Sequence, residues 1–416
     1  MKQGIKKWLK ITGVFLLFTT VLAAGFILGK IANKDENAVR AVYVQQLVQD
    51  FMEISDIVRE NYSLLESKQI NIDSLFQVYV PYVKEVESFD EYRMLLMRYF
   101  AELRNGHTGL TCWWRFDADG AVILVESRVF IERAGRSLAR LGVNVKDEII
   151  EIDGISALEW INKQQRYVSA STDKSRFHRA SWRIFSSLFP VTRTLLLNTQ
   201  SGKREITLEL SCNSYRHRQL VRQRRNVIEA RTINDYIGYI EILSMQGSVV
   251  DEFRRQFERF RTKPILIVDV RRNGGGNSIF SEDMVEYLIR KEQIASVWER
   301  RLKPQENHFE GKLIVLTGVS TFSAAESFVL DLKESGNAIL IGSETGGCTG
   351  LGPQSFTTSL GTSFRFPTRA FHLSPQGFPM EGVGIPPHIF VYQTVEDYLN
   401  GIDTVLEFAI NFASSQ

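Results

Sequence analysis

The chain has 416 residues, 44% hydrophobic and 24% charged, which is too long for one typical core and too apolar for a disordered protein. Its 50 basic and 48 acidic residues leave a formal net charge of +2, so no overall field exists for holding nucleic acid. Three cysteines, Cys112, Cys212 and Cys348, are widely separated and odd in number; neither a disulfide framework nor a metal spacing follows from them, and no metal or organic cofactor is expected.

Lys2, Lys6, Lys7 and Lys10 precede an apolar run over residues 11–28 that contains no charge, and Lys30, Lys34, Asp35 and Glu36 follow it. Residues 1–34 therefore read as a signal peptide or signal anchor. Val21-Leu22-Ala23 resembles a small-residue cleavage site, whereas a run of roughly this length, about 18 residues, also spans a bilayer. Lysines before the run favour a cytoplasmic N-terminus. The remaining chain is expected to be exported, on the periplasmic or extracellular side, and anchored to the membrane where residues 11–28 are retained.

Residues 38–115 form a helical subdomain: Val44, Leu47, Val48, Phe51 and Ile54 recur at helical spacing, as do Tyr92, Leu95, Leu96, Tyr99 and Phe100. Asn105-Gly106 is a turn signal, which leaves His107 just past a helix end. Over residues 120–212 the period changes to strand, with runs at 122–125, 129–131, 194–197 and 206–210. The segment from Leu141 to Ile155 resembles the "G-D-x-I-x-x-I-x-G" signature of PDZ domains. Residues 173–188 read as a helix inserted into this PDZ-like domain. The basic run from Arg216 to Arg225 reads as a solvated inter-domain segment.

From residue 225 to 416 strands and helices alternate: strands at 236–242, 265–270, 313–316 and 338–341, helices at 250–261, 282–290, 324–334 and 395–412. That alternation predicts an α/β sheet covered on both faces, with its site at the carboxyl ends of the strands. Two loops stand there. Arg271-Arg272-Asn273-Gly274-Gly275-Gly276-Asn277 is a glycine loop that lets backbone N–H groups approach a ligand, without the Lys-Ser/Thr of a phosphate-binding loop. Thr317-Gly318-Val319-Ser320-Thr321-Phe322-Ser323-Ala324-Ala325-Glu326 holds an S-x-x-E capping box, and it places Ser323 at the positive end of a helix, where an oxyanion would be stabilised.

Together these loops resemble those of the serine peptidase family that contains the tail-specific and tricorn proteases: "D-x-R-x-N-G-G-G" as Asp269 to Gly276, "T-x-S-A-x-E" as Thr321 to Glu326. The resemblance covers most of the expected exported chain. It implies an α/β fold with a helical N-terminal subdomain, a PDZ-like domain and a crotonase-like, superhelical ββα peptidase core, acting on a peptide or protein substrate. Tail-specific proteases place a lysine in "G-x-x-T-x-G-K-G", and here Cys348 stands in its place, which excludes the Ser-Lys design; a small buried residue without a catalytic role is expected there. The tricorn-like branch instead uses a histidine turn, resembled by Asn105-Gly106-His107-Thr108, and an "E-G-x-G-I-x-P-D" element, resembled by Glu381 to Pro387. The branch resemblance implies a Ser323, His107, Glu381 triad, with Glu381 fixing the imidazole tautomer. Asn105 departs from the acidic residue usual in that turn, Gly106 lacks the tricorn serine beside the histidine, and His388 replaces the Asp after Pro387. For the oxyanion hole the expected donors are the backbone N–H groups of Ala324 and Gly275, with Gly276 next. The alternative is a non-catalytic peptide- or lipid-binding protein on the same scaffold, as in interphotoreceptor retinoid-binding protein; acyl-CoA chemistry is a more distant reading.

Overall fold

The computed structural model describes residues 36–111, 114–214, 227–348, 352–369 and 372–415. The expected export segment, including residues 11–28, and the basic run from Arg216 to Arg225 lie outside the described residues. Among the described residues no helix is long and apolar enough to cross a membrane.

Three helices come first: α1 (Glu36–Asn61), α2 (Ile72–Glu85) and α3 (Phe89–Glu102). Asn71 and Ser88 start α2 and α3 by accepting the N–H groups of Ser74 and Glu91. The apolar faces of the helices close around Phe51, Tyr79, Tyr92, Tyr99 and Phe100 together with Phe364 and Phe366, which belong to a distant hairpin of strands Gln354–Thr357 and Ser363–Phe366. Asp50 of α1, 1% exposed, accepts the hydroxyls of Tyr92 (2.7 Å), Thr362 (2.9 Å) and Thr358. Three donors offset the desolvation of this carboxylate and tie helix to hairpin. The short strand Gly109–Leu110 pairs with the same hairpin, Gly109 opposite Arg365. The turn bearing His107 is thus held between α3 and a strand whose partner lies far along the chain.

A largely antiparallel sheet follows, in the order Gly120–Val125, Arg128–Ala134, Glu148–Ile152, Val191–Thr199, Gly202–Ser214, Trp114–Asp117 and Ser186–Ser187. It has its own core, centred on Ile131, Ile149, Ile152, Trp160, Leu195 and Leu208. The inserted helix is shorter than its sequence pattern suggests: α4 (Asp173–Ser181) tightens into a 3₁₀ turn at Trp182–Phe185, one turn of poorer geometry at a helix end.

The C-terminal sheet runs in chain order, β1 (Ile228–Thr232), β2 (Ile237–Ile242), β3 (Ile265–Asp269), β4 (Lys312–Thr317), β5 (Ala338–Gly342) and β6 (Ile389–Phe390); β1 is antiparallel to β2 and every later pair is parallel. Leu266, Val268, Leu313 and Val315 face the helices α5 (Val249–Phe260), α6 (Ser278–Val285) and α7 (Ala324–Glu334). Ile265, Ile267, Ile314 and Leu316 face the last helix. Burial on both faces explains why these strands read as continuous apolar runs.

Two expected helices change. The helix expected at 282–290 begins earlier, at Ser278, because the Asn277 side chain accepts Ile279 N–H, and it ends at Val285. The single helix expected at 395–412 is two, α8 (Val395–Asn400) and α9 (Thr404–Ser414). Gly401 takes the left-handed conformation at φ 79° and Asp403 caps the next helix through Leu406 N–H, so a C-cap and an N-cap stand back to back.

Candidate active site

Consecutive parallel strands deliver the first half of the site. β3 leads into the glycine loop, β4 into the Ser323 turn and β5 into the 343–348 loop, all at one edge of the sheet. Backbone ties fix these loops to one another: Phe322 N–H donates to Asn273 O (3.0 Å), Asn273 Nδ2 donates to Ile242 O (3.0 Å), and Gly346 N–H donates to Thr321 O (2.9 Å). Ser323 sits at φ 59°, ψ −126° between β4 and α7, the sharp strand-to-helix turn that thrusts a nucleophile outward. Such a conformation costs on the order of 1–3 kcal/mol and persists only where its surroundings impose it.

Glu326 is the principal constraint. Fully buried, it accepts Ser323 N–H (3.1 Å), Thr345 Oγ1 (2.5 Å), Gly347 N–H (2.7 Å) and Cys348 N–H (2.9 Å). The glutamate half of the capping box is therefore formed, and the same carboxylate clamps the 343–348 loop beneath Ser323. Burial pushes its carboxyl up to about 7 against the pull of those four hydrogen bonds. Gly275, at φ 90°, has no room for a side chain: a Cβ would lie 2.6 Å from Phe322 O and 2.8 Å from Ser323 Cβ.

The second half is the histidine turn. Arg104 ends α3 in the left-handed conformation (φ 49°), and Asn105 Oδ1 accepts His107 N–H (2.8 Å). The amide oxygen of Asn105 does what an aspartate oxygen would do in such a turn. Ser171 Oγ accepts Gly106 N–H (3.1 Å), and Arg179 of α4 donates to Gly106 O (2.9 Å) and Ser169 O (3.2 Å) while lying over the Phe322 ring at 5.1 Å. His107, 7% exposed, places Nε2 2.9 Å from Ser323 Oγ. Burial first, then the Arg179 and Arg365 guanidinium groups, lower its pKa to about 3, so the ring is neutral and able to accept a proton.

The other ring nitrogen departs from expectation. His107 Nδ1 meets Cys348 Sγ at 3.0 Å, in the position that the tricorn-like resemblance assigns to Glu381. Glu381 stands one step further out: it bridges antiparallel to Cys348 and pairs with Lys68 Nζ at 2.6 Å. The physical reason is the loop clamp, since Glu326 pulls Cys348 N–H inward and so drives its side chain between imidazole and glutamate. Cys348 is buried, as its sequence position suggests, but it is not inert packing. Asn105 Nδ2 also reaches its sulfur, at 3.5 Å.

Of the two expected oxyanion donors, Ala324 opens α7, where an N–H has no intrahelical acceptor. Gly275 N–H, by contrast, donates to Asn273 Oδ1 at 2.8 Å and is already engaged; its glycine is needed for close approach instead. Sequence reasoning also missed Lys68, Arg179 and a second histidine–serine contact, His178 Nε2 to Ser320 Oγ at 2.7 Å, which fastens α4 to the nucleophile loop. A cavity of ≈ 450 Å³ lined by Lys68, Arg104, His372 and Glu381 opens on the outer side of Glu381 and does not reach Ser323.

Residues 236–391 match the family model described as Peptidase family S41, residues 43–101 the Tricorn protease C1 domain, and residues 124–210 the N-terminal domain of Bacteroidetes S41 family peptidases. The chain is 31% identical to the tricorn protease of Thermoplasma acidophilum over 237 residues, 55% of this chain and 22% of that protein. With the tricorn protease of Thermoplasma volcanium it shares 31% over 284 residues, 67% of this chain and 26% of that one. It thus spans about a quarter of the length of these curated relatives. Among solved structures, mature CPAF superposes with a TM-score of 0.73 at 14% identity, covering 90% of this chain and 99% of that one. The tricorn protease crystal structure gives a TM-score of 0.52 at 22% identity, covering 89% of this chain and 37% of that one. At these identities the superpositions establish the fold.

Proposed function

Since the chain belongs to peptidase family S41, we propose that it is an exported serine endopeptidase that cleaves peptide bonds through an acyl-enzyme, with Ser323 as nucleophile and His107 as base. The observation that carries this reading is the 2.9 Å approach of a buried, neutral imidazole to a serine held in a nucleophile turn. Ser323 Oγ attacks the peptide carbonyl while His107 Nε2 takes its proton. The Ala324 N–H, with another from the glycine loop, stabilises the oxyanion at the helix N-terminus. His107 then returns the proton to the leaving amine, and a water deprotonated by the same nitrogen releases the acyl group.

Glu381 supplies negative charge on the Nδ1 side of the ring. The PDZ-like domain, residues 120–212, would receive or gate an extended peptide by strand addition, and α4 gives it a direct hold on the catalytic loops through Arg179 and His178. Export rests on the lysine-flanked apolar run at residues 11–28.

A fluorophosphonate probe tests the reading. The folded protein is expected to form a stoichiometric adduct on Ser323, found by peptide mass spectrometry and lost in Ser323→Ala. A folded protein that takes up no probe and hydrolyses no unfolded polypeptide refutes it and favours a binding protein on this scaffold.

A further inference from the structure

We propose that Cys348 is a positioning residue of the hydrolase site: its thiol accepts the Nδ1–H of His107 and donates its own S–H to Glu381, so that the carboxylate acts on the imidazole through sulfur. This rests on the reading of Ser323 and His107 as nucleophile and base.

Three observations converge on it. Nδ1 has a partner at hydrogen-bond distance, and that partner is Cys348 Sγ at 3.0 Å. Because Nε2 faces the Ser323 hydroxyl and must accept its proton, the single proton of the neutral ring belongs on Nδ1. A thiol, like a hydroxyl, can accept from Nδ1–H and still donate onward, and the acceptor opposite it across the antiparallel bridge is Glu381. Second, the backbone fixes the relay independently of the side chains: Cys348 and Glu381 form an antiparallel bridge, Gly382 N–H donates to Gly347 O (2.9 Å), and Glu326 anchors Cys348 N–H (2.9 Å). Third, Lys68 holds the far side of Glu381 at 2.6 Å, which orients the carboxylate without bringing it to the ring.

The groups around the imidazole make a relayed negative charge useful. Arg179 and Arg365 both act against a positive ring. When His107 takes the serine proton, Glu381 is the counter-charge on its Nδ1 side, and the polarised S–H between them transmits it. No proton leaves sulfur: the Ser323 proton moves to Nε2, Nδ1–H stays on nitrogen, and S–H stays on sulfur. Sulfur is a weaker donor and acceptor than oxygen, so the effect should be smaller than the roughly 10⁴-fold lost when a serine hydrolase's histidine is given the wrong tautomer.

The test compares Cys348→Ala, the near-isosteric Cys348→Val and Cys348→Ser. Ala and Val are expected to lower kcat about 10- to 100-fold with KM unchanged, while Ser, which can relay in the same way, restores most of it. Glu381→Gln should cost little more once Cys348→Ala is in place, because the two residues act in series. Equal kcat in wild type and Cys348→Ala, or additive losses for Cys348→Ala and Glu381→Gln, would overturn the relay, as would Cys348→Ser as slow as a folded Cys348→Val. A second readout needs no turnover: in Ser323→Ala protein with ¹⁵N-labelled histidine, NMR should show His107 protonated at Nδ1, and Cys348→Val should mix the tautomers. An unchanged tautomer sinks the relay even where the peptidase reading stands. Absence of fluorophosphonate labelling sinks that reading and leaves the tautomer measurement to decide the contact.

Discussion

The half of this site that carries the proposed nucleophile and the half that carries the proposed base are assembled by different means. Ser323, the glycine loop and the 343–348 loop leave neighbouring parallel strands, and main-chain hydrogen bonds join them: Phe322 to Asn273, Gly346 to Thr321. His107 is held by side chains from distant segments, Ser171 and Arg179 from the middle domain, Cys348 from the core, and a strand partner at Arg365. Ser323 is therefore set by the sheet, whereas His107 is set by how three parts of the chain meet. Anything that moves the parts should alter the base first.

The largest effects break both halves together. Ser323→Ala and His107→Ala should each lower kcat by about 10⁴- to 10⁶-fold, and the double variant should lose no more than either, since the pair acts as a unit. Steady-state kinetics with single-turnover controls checks this. Gly275→Ala breaks the nucleophile half alone: its Cβ meets Phe322 O at 2.6 Å in a backbone conformation that disfavours side chains. We expect about 10²-fold lower kcat and about 1–3 kcal/mol less stability in urea unfolding, with the pH dependence of kcat/KM unmoved. Arg179→Met touches only the base half. It should cost about 10-fold in kcat through the loosened turn and move the acid limb of kcat/KM upward, because one of the cations that depress His107 is gone. A Gly275→Ala that shifted the pH profile, or an Arg179→Met that did not, would dissolve the distinction.

The same contrast explains what the sequence made legible. β3, β4 and β5 are apolar runs of strand length, and Ser323 follows one of them at a capping box, so the nucleophile half could be placed from local pattern. The pairing of His107 with Ser323 came from the order of motifs, since no periodicity links a turn after α3 to a loop after β4. Cys348 is buried, as the sequence suggests, but its contact with His107 Nδ1 has no local sequence signal. Its position at the carboxyl end of the next parallel strand already put it on the active edge, and topology was the missed signal. Glu381 was legible as a motif, but that Cys348 rather than Glu381 meets Nδ1 was not, because side-chain order across a loop contact has no sequence period. The hairpin that completes the helical core was not foreseen: Phe364 and Phe366 alternate over only four residues, and they pack on the rings of Phe100 of α3 and Tyr62 just past α1. The break in the last helix was legible in Gly401 and Asp403 and was overlooked.

The smallest expected effect is on stability against pH, and here the halves titrate with opposite sign. His107 is lowered from 6.5 to about 3, so between those values the unfolded chain binds a proton that the native ring refuses. Its contribution is fully present above pH 6.5 and is lost as pH falls, with a slope of at most about 1.4 kcal/mol per pH unit. His178, lowered to about 4 chiefly by burial, acts in the same direction. Glu326 is raised from 4.5 to about 7, so in that window the native carboxyl holds a proton that the unfolded one has released. Its contribution is present below pH 4.5 and is lost as pH rises towards 7. Thermal melts of the folded protein from pH 4 to 7.5 should accordingly vary less than either group alone would dictate. His107→Gln should remove part of the fall on the acid side and Glu326→Gln part of the fall approaching neutrality. Parallel shifts of the two variants, at constant slope, would mean that neither half carries its charge cost through burial.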